Sequence, residues 1–207
     1  MSEYTDFVWA EMYDFIGNEF GTAGLLGNLQ AESGIIPYRL QDDFTTGYYK
    51  SINYTNNVNS GVISKNDFVH DGKGYGLAQW TFSSRKEALY DMWVSGSYSS
   101  IGDAQLAVDY LKYELQNSYS GVLSVLQSAT SVREASDKVL HDFENPASQG
   151  PDVERERELL GLAIYAQYAG GVYPPPIPPD PPTPEQPSIP YWLLAKLSEN
   201  NSTLHKL

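Results

Sequence analysis

Carboxylates are the residues in this chain best placed to do chemistry, and Glu32 stands first among them. It closes the run Gly21-Thr22-Ala23-Gly24-Leu25-Leu26-Gly27-Asn28-Leu29-Gln30-Ala31-Glu32-Ser33-Gly34. That run reads as an apolar, Gly-rich helix, with Gly34 suited to a left-handed C-terminal position. Partial burial and the negative end of the helix dipole both disfavour ionisation of a carboxyl there. A carboxyl kept protonated near neutral pH is what a general acid for glycosidic cleavage requires. The same position also suits an ordinary solvated glutamate at a helix end.

A second segment is Asp71-Gly72-Lys73-Gly74-Tyr75-Gly76-Leu77-Ala78-Gln79-Trp80-Thr81. Its glycines allow close approach of the backbone to a ligand. Tyr75 and Trp80 offer flat apolar faces with polar tips, and the Gln79 amide both donates and accepts hydrogen bonds. Rings and an amide in this order match the apolar face and hydroxyl rim of a sugar. A tight turn that enters a core around a buried Trp would leave the same trace.

Much other chemistry is excluded. The chain has no cysteine, so thiol nucleophiles, Cys-ligated zinc, iron–sulfur clusters and disulfides are ruled out. Its histidines, His70, His141 and His205, are scattered, and no H-E-x-x-H, G-x-S-x-G or Walker sequence occurs. No metal and no cofactor is expected. Thirteen basic against twenty-six acidic residues give a net charge of −13, which argues against nucleic acid as a partner. No apolar run is long enough to span a bilayer, and the N-terminal residues lack the pattern of a secretory signal, so neither a membrane partner nor a signal peptide is expected.

The elements that must position these residues are mostly helical. Val8, Trp9, Met12, Tyr13 and Ile16 recur at helical spacing, with Gly17 placed to end the helix. Gly21, Gly24 and Gly27 each lower helicity by about 1 kcal/mol, a cost expected where another backbone packs closely, so residues 21–34 are predicted to form a central buried helix. Residues 37–81, rich in Asn, Gly, Tyr, Ser and Thr, are predicted to form irregular loops and a small hairpin. Helices resume with Ser83 or Ser84 as a cap, then Asp103, then the capping box Ser131-Val132-Arg133-Glu134, and a last helix opened by Pro151. Ten of the thirteen prolines lie between Pro174 and Pro190. The expected organisation is a domain over 1–171, a polyproline linker over 172–190, and a short tail or the start of a further module over 191–207.

Taken together, the segment Ala23 to Gly34 and the later Gly74-Tyr75-Gly76-Leu77-Ala78-Gln79-Trp80-Thr81 resemble the bacteriophage tail-lysozyme family, lysozyme-like peptidoglycan hydrolases of phage tail proteins and endolysins. Phe143-Glu144-Asn145-Pro146 is similar to an aromatic-Glu-x-Pro element near the end of that family's domain. A more distant likeness is to lytic transglycosylases and goose-type lysozymes. The resemblance implies an α+β, predominantly helical lysozyme-like domain with a small loop or hairpin insertion. It also implies cleavage of the β-1,4 bond between N-acetylmuramic acid and N-acetylglucosamine, with Glu32 as the acid and Tyr75, Gln79 and Trp80 binding substrate. Glu144 reads as structural, with Arg155 or Arg157 as its partner.

No motif fixes a second carboxylate. Retaining glycosidases need one about 5–5.5 Å from the acid, and inverting ones about 6.5–9.5 Å. Asp42, Asp43, Asp67 and Asp71 lie in the right region, and Asp67 and Asp71, nearest the ring-bearing segment, are the expected candidates. Lytic transglycosylation and a non-catalytic wall-binding or tail-structural module remain alternatives. The expected partner is bacterial peptidoglycan, with phage tail proteins or a C-terminal wall-binding module as a further one. The chain is expected to be phage-encoded and to act from a virion tail or as a released endolysin. Its negative charge would be repelled by teichoic-acid-rich walls, which favours delivery by such a partner.

Overall fold

The computed structural model describes residues 2–169. The proline-rich stretch and the tail lie outside the described residues. Nine α-helices make up the described part: α1 (Thr5–Ile16), α2 (Glu19–Ser33), α3 (Tyr49–Asn59), α4 (Lys65–His70), α5 (Ser83–Ser95), α6 (Ala104–Asn117), α7 (Ser120–Ser128), α8 (Val132–Val139) and α9 (Pro151–Tyr168). A π-helical turn, Leu140–Glu144, follows α8 directly.

The core is organised around α2, whose residues 21–29 are all buried. Its three glycines let three different helices approach. A Cβ at Gly21 would lie 1.9 Å from the Leu126 carbonyl oxygen of α7, one at Gly24 2.5 Å from the Ala135 Cβ of α8, and one at Gly27 2.6 Å from the Arg157 carbonyl oxygen of α9. No side chain fits in such gaps, so the local cost in helicity is offset by packing on three sides. Gly34 closes the C-terminal end of α2 as expected, and Asn18, which the sequence reading does not single out, closes the other. The Asn18 side chain accepts from the Gly21 amide, and Gly34 adopts φ 67° while its N–H bonds back to Gln30. Inside, the Asn28 side-chain amide donates to Gly24 and Ser136, tying α2 to α8 through a buried polar contact.

Asp103 and Ser131 cap α6 and α8, and Pro151 opens α9, as expected. Neither Ser83 nor Ser84 caps α5, whose N-cap position is Phe82.

The region 37–81 departs from its expected form. Between the expected irregular stretches it holds two helices, α3 and α4, and among the described residues pairing is limited to two isolated antiparallel bridges, Leu40 with Tyr75 and Tyr75 with Trp80. The sequence of α3, Tyr-Lys-Ser-Ile-Asn-Tyr-Thr-Asn-Asn-Val-Asn, has poor intrinsic helicity. It nonetheless buries Ser51, Tyr54, Thr55 and Val58 on one face, and that tertiary burial outweighs propensity. The bridge from Tyr75 to Trp80 closes a tight turn in which Gly76 and Gln79 have positive φ (78° and 46°).

Candidate active site

The C-terminal end of α2, the N-terminal half of α9 and the π-helical turn converge beside a cleft of about 710 Å³. Its walls include Glu32, Glu144, Arg85 and Gln79, together with Arg39, Asp42 and Phe44 from the segment after α2.

Glu32, one residue from the end of α2, keeps 22% of its side-chain exposure, and its Oε1 accepts a hydrogen bond of 2.6 Å from Nη2 of Arg157. The arginine is nearly buried on α9. The glutamate therefore faces the cleft from a held position.

Glu144 lies beside Glu32 rather than in a separate structural niche. Both its carboxyl oxygens are buried, and a protonated Glu144 can donate to Glu32. Burial, and after it the negative charge of Glu32, push the Glu144 carboxyl well above the ordinary range, while Arg157 and Arg85 oppose this less strongly. The carboxyl that its surroundings keep protonated is thus Glu144. The expected pairing of Glu144 with Arg157 is corrected on this geometry: Arg157 bonds Glu32, and the two carboxyls share one corner of the cleft. Local chain geometry puts Glu144 there. The π-helical turn ends in Asn145 at φ 45°, whose N–H bonds to the Leu140 carbonyl, five residues back. Such bulges re-aim a side chain that a regular helix would carry elsewhere.

Arg85 forms another part of the wall. Its Nε and Nη2 donate to the two carboxylate oxygens of Glu114, at 2.6 and 2.7 Å, and its guanidinium lies 4.8 Å from the Phe143 ring centroid. Trp80 contributes from behind: it is fully buried, and its Nε1–H donates to Glu114 at 2.7 Å. Tyr75 is also fully buried, with its hydroxyl 2.7 Å from that of Thr55. The expectation that Tyr75 and Trp80 present their faces to substrate is therefore corrected; both rings belong to the core. Of that trio only Gln79 reaches the cleft, and its Nε2 is engaged by the Gly76 and Arg39 carbonyls. The rings that do line the cleft are Phe44 and Phe82, 87% and 72% exposed. Phe44 sits in a polar loop, where an aromatic residue has no core to fill. That was the available sequence signal, and it was missed.

The aspartates also sort differently. Asp67 is in the first turn of α4, where it interacts with the capping Ser64, and Asp71 pairs with the buried Lys86 at 2.5 Å and with the Tyr54 hydroxyl. Neither lines the cleft, so the proposal of either as the second carboxylate is corrected. Asp71 instead anchors the base of the loop whose Gly72 reaches the wall. Asp43 is fully buried; burial opposes its ionisation, but hydrogen bonds from Ser51 and Thr45 outweigh this and hold it below the ordinary carboxylate range. Asp42 is the one of the four that lines the cleft. Among the described residues no group of three or more His, Asp or Glu side chains could hold a metal ion. No helix among them is long and apolar enough to cross a membrane.

A predominantly helical domain of lysozyme-like fold, with a carboxyl pair and an arginine at the wall of a polar cleft, defines the class. A family model described as phage tail lysozyme matches residues 11–168 of the 207, and the chain belongs to that family. No curated protein and no solved structure matches it.

Proposed function

We propose that this protein is a phage-encoded peptidoglycan hydrolase that cleaves the β-1,4 bond between N-acetylmuramic acid and N-acetylglucosamine, with Glu32 and Glu144 acting together as the acid. The observation that carries this reading is the contact of a buried, proton-retaining carboxyl with one that faces the cleft. With one proton on the pair and Arg157 charged, the cluster is neutral; with none, it carries a net negative charge in a poorly solvated corner. Burial and the neighbouring Glu32 charge favour the protonated form of Glu144, which makes it the proton reservoir of the pair.

Transfer of that proton from Glu144 to Glu32 makes Glu32 the donor to the glycosidic oxygen. The C–O bond breaks as the oxygen takes the proton, and the two carboxylates left behind are stabilised by Arg157 and Arg85. Asp42, on a different wall segment, is the carboxylate available to orient water or to stabilise the oxocarbenium ion. Phe44 and Phe82 supply exposed apolar faces for sugar rings. Family membership supports action on the bacterial cell wall, and release as an endolysin or carriage on a tail are the routes proposed for reaching it.

The test is loss of turbidity of purified cell walls. Glu32→Gln is expected to clear walls on the order of 10²–10⁴-fold more slowly than the parent. Clearance at the parental rate would refute the assignment. Mass spectrometry of the released fragments reads the fate of the cation: reducing ends mark attack by water, and anhydro ends mark attack by the sugar's own 6-hydroxyl.

A further inference from the structure

A second pocket, of about 470 Å³, opens near the other side of the α2 C-terminus. The same segment that walls the cleft also walls this pocket: Arg39 faces the cleft, while its guanidinium carbon lies 4.5 Å from the centroid of the Tyr48 ring, which lines the pocket. The two openings are thus separated by a single wall that carries the Arg39–Tyr48 contact.

The lining is one-sided in its chemistry. Tyr4 and Tyr38 meet edge to face, with ring centroids 6.0 Å apart and planes at 86°. Glu3 adds a carboxylate, and Oε1 of Gln30 is a buried acceptor with no hydrogen-bond partner. Among the described residues no lysine, arginine or histidine lines the pocket. Burial, then Tyr38 and last the negative charge of Glu3, push the Tyr4 hydroxyl up to about 12, so Tyr4 presents a neutral ring to the pocket. Aromatic faces, a carboxylate and an unmet acceptor together favour a cation that also donates hydrogen bonds. An anion would meet Glu3 and the Gln30 oxygen without compensation.

We infer that this pocket binds a primary ammonium group, and that its ligand is the side-chain amine of the peptide carried by the glycan strand in the cleft. The inference rests on the proposed peptidoglycan substrate, whose peptides branch from the sugar chain and carry a diamino acid. It makes the enzyme sensitive to peptide substitution at a distance from the cut bond. Strands whose amines are free are held at two places, and strands whose amines are acylated at one.

The experiment uses the full chain and two kinds of probe. For cleavage, these are soluble glycan strands bearing lysine-containing stem peptides, the same strands with the lysine amine acetylated, and strands stripped of peptide. The parent is expected to show a KM roughly tenfold lower for the free-amine strands, with kcat unchanged. Glu3→Gln and Gln30→Met are expected to remove that difference while leaving cleavage of stripped strands as in the parent. For binding, the free stem tetrapeptide and its acetylated form are titrated against parent and Glu3→Gln, which reads the pocket without any bond being broken. Equal binding of the two peptides by the parent, or equal KM for free and acetylated strands, overturns the inference. If no strand is cleaved yet amine-dependent binding persists and is lost in Glu3→Gln, the pocket assignment stands and the hydrolase reading falls.

Discussion

Replacing Arg157 with methionine tests the charge balance on which the carboxyl pair depends. Methionine keeps much of the side-chain volume and removes the charge, so the change is chiefly electrostatic. In the parent the arginine donates to Glu32 at 2.6 Å and sits beside Glu144. Removing one partner of a buried ion pair costs about 3–5 kcal/mol. The Glu32 side chain keeps 22% of its exposure, and solvent relieves part of the orphaned charge, so about 2–3 kcal/mol is expected at pH 8. At pH 5 the raised Glu144 carboxyl keeps its proton more fully, so less charge is orphaned and the loss should fall to about 1 kcal/mol. The sign follows from proton counting: the folded variant holds protons that the unfolded chain has released, so its stability falls as pH rises, more steeply than the parent's. Urea unfolding followed by tryptophan fluorescence, at the two pH values, measures this. The alkaline limb of the wall-clearance profile should also move upward, because a positive charge that favours ionisation is gone. An equal loss of stability at pH 5 and pH 8, or none at either, would refute the account of one proton shared under the arginine's charge.

Three further outcomes are expected. In Glu144→Gln the proton reservoir is removed, and wall clearance should drop on the order of 10²-fold. Because burial raises the Glu144 carboxyl, this group's contribution to the parent's stability is full at low pH and is lost as pH rises above the ordinary carboxyl range. The variant should therefore match the parent near pH 4 and exceed it at pH 8, and an unchanged difference in melting temperature across that range would count against the burial argument. Gly27→Ala gains about 1 kcal/mol of helicity but puts a methyl 2.6 Å from the Arg157 carbonyl oxygen and the Gly161 nitrogen. Overpacking against backbone costs about 1–3 kcal/mol or more, so a lower melting temperature together with slower clearance is expected, and a more stable variant would show that α2 and α9 are not in close contact. Phe44→Ala and Phe82→Ala should raise KM several-fold and change stability by less than about 0.5 kcal/mol, since both rings are largely exposed.

What the sequence made legible was mostly local. Gly21, Gly24 and Gly27 announce close backbone approaches because nothing else justifies three glycines in an apolar helix, and each does face a different neighbour. Gly34 marks the C-terminal end of α2 because capping depends on residues only a few positions away. With that end known, the placement of Glu32 on the rim of a buried helix follows. The illegible parts depend on contacts across long stretches of chain. Whether Tyr75 and Trp80 face in or out is decided by which side of a single bridged turn meets α3 and α6, and no periodicity in a ten-residue loop carries that information. Glu144 was misread for a related reason. Phe143 and Pro146 do signal packing, but that packing brings the carboxyl against Glu32, 112 positions away, instead of removing it from the chemistry. The burial of α3 likewise overrides a sequence whose turn-forming residues point to a loop.

The ring-bearing motif gains a different physical meaning from this arrangement. Trp80 touches no part of the cleft, yet its indole N–H holds Glu114, and Glu114 holds both donor nitrogens of Arg85. Arg85 in turn lies against Phe143, the residue immediately before Glu144, and opposes the rise of the Glu144 carboxyl. The buried tryptophan thus acts on the acid through two charged intermediates. Each of them is expensive to bury alone, and each is satisfied by the next. On the far side, Asp71 with Lys86 and Tyr54 fixes the start of the same loop in the same manner. Both ends of the segment from Asp71 to Trp80 are therefore pinned by buried polar contacts, which leaves Gly72 and Gln79 at the cleft with little freedom to move. A rigid wall there is what a proton transfer between fixed carboxyls and a bound sugar oxygen requires, since a displacement of about 1 Å can cost on the order of a hundredfold in rate.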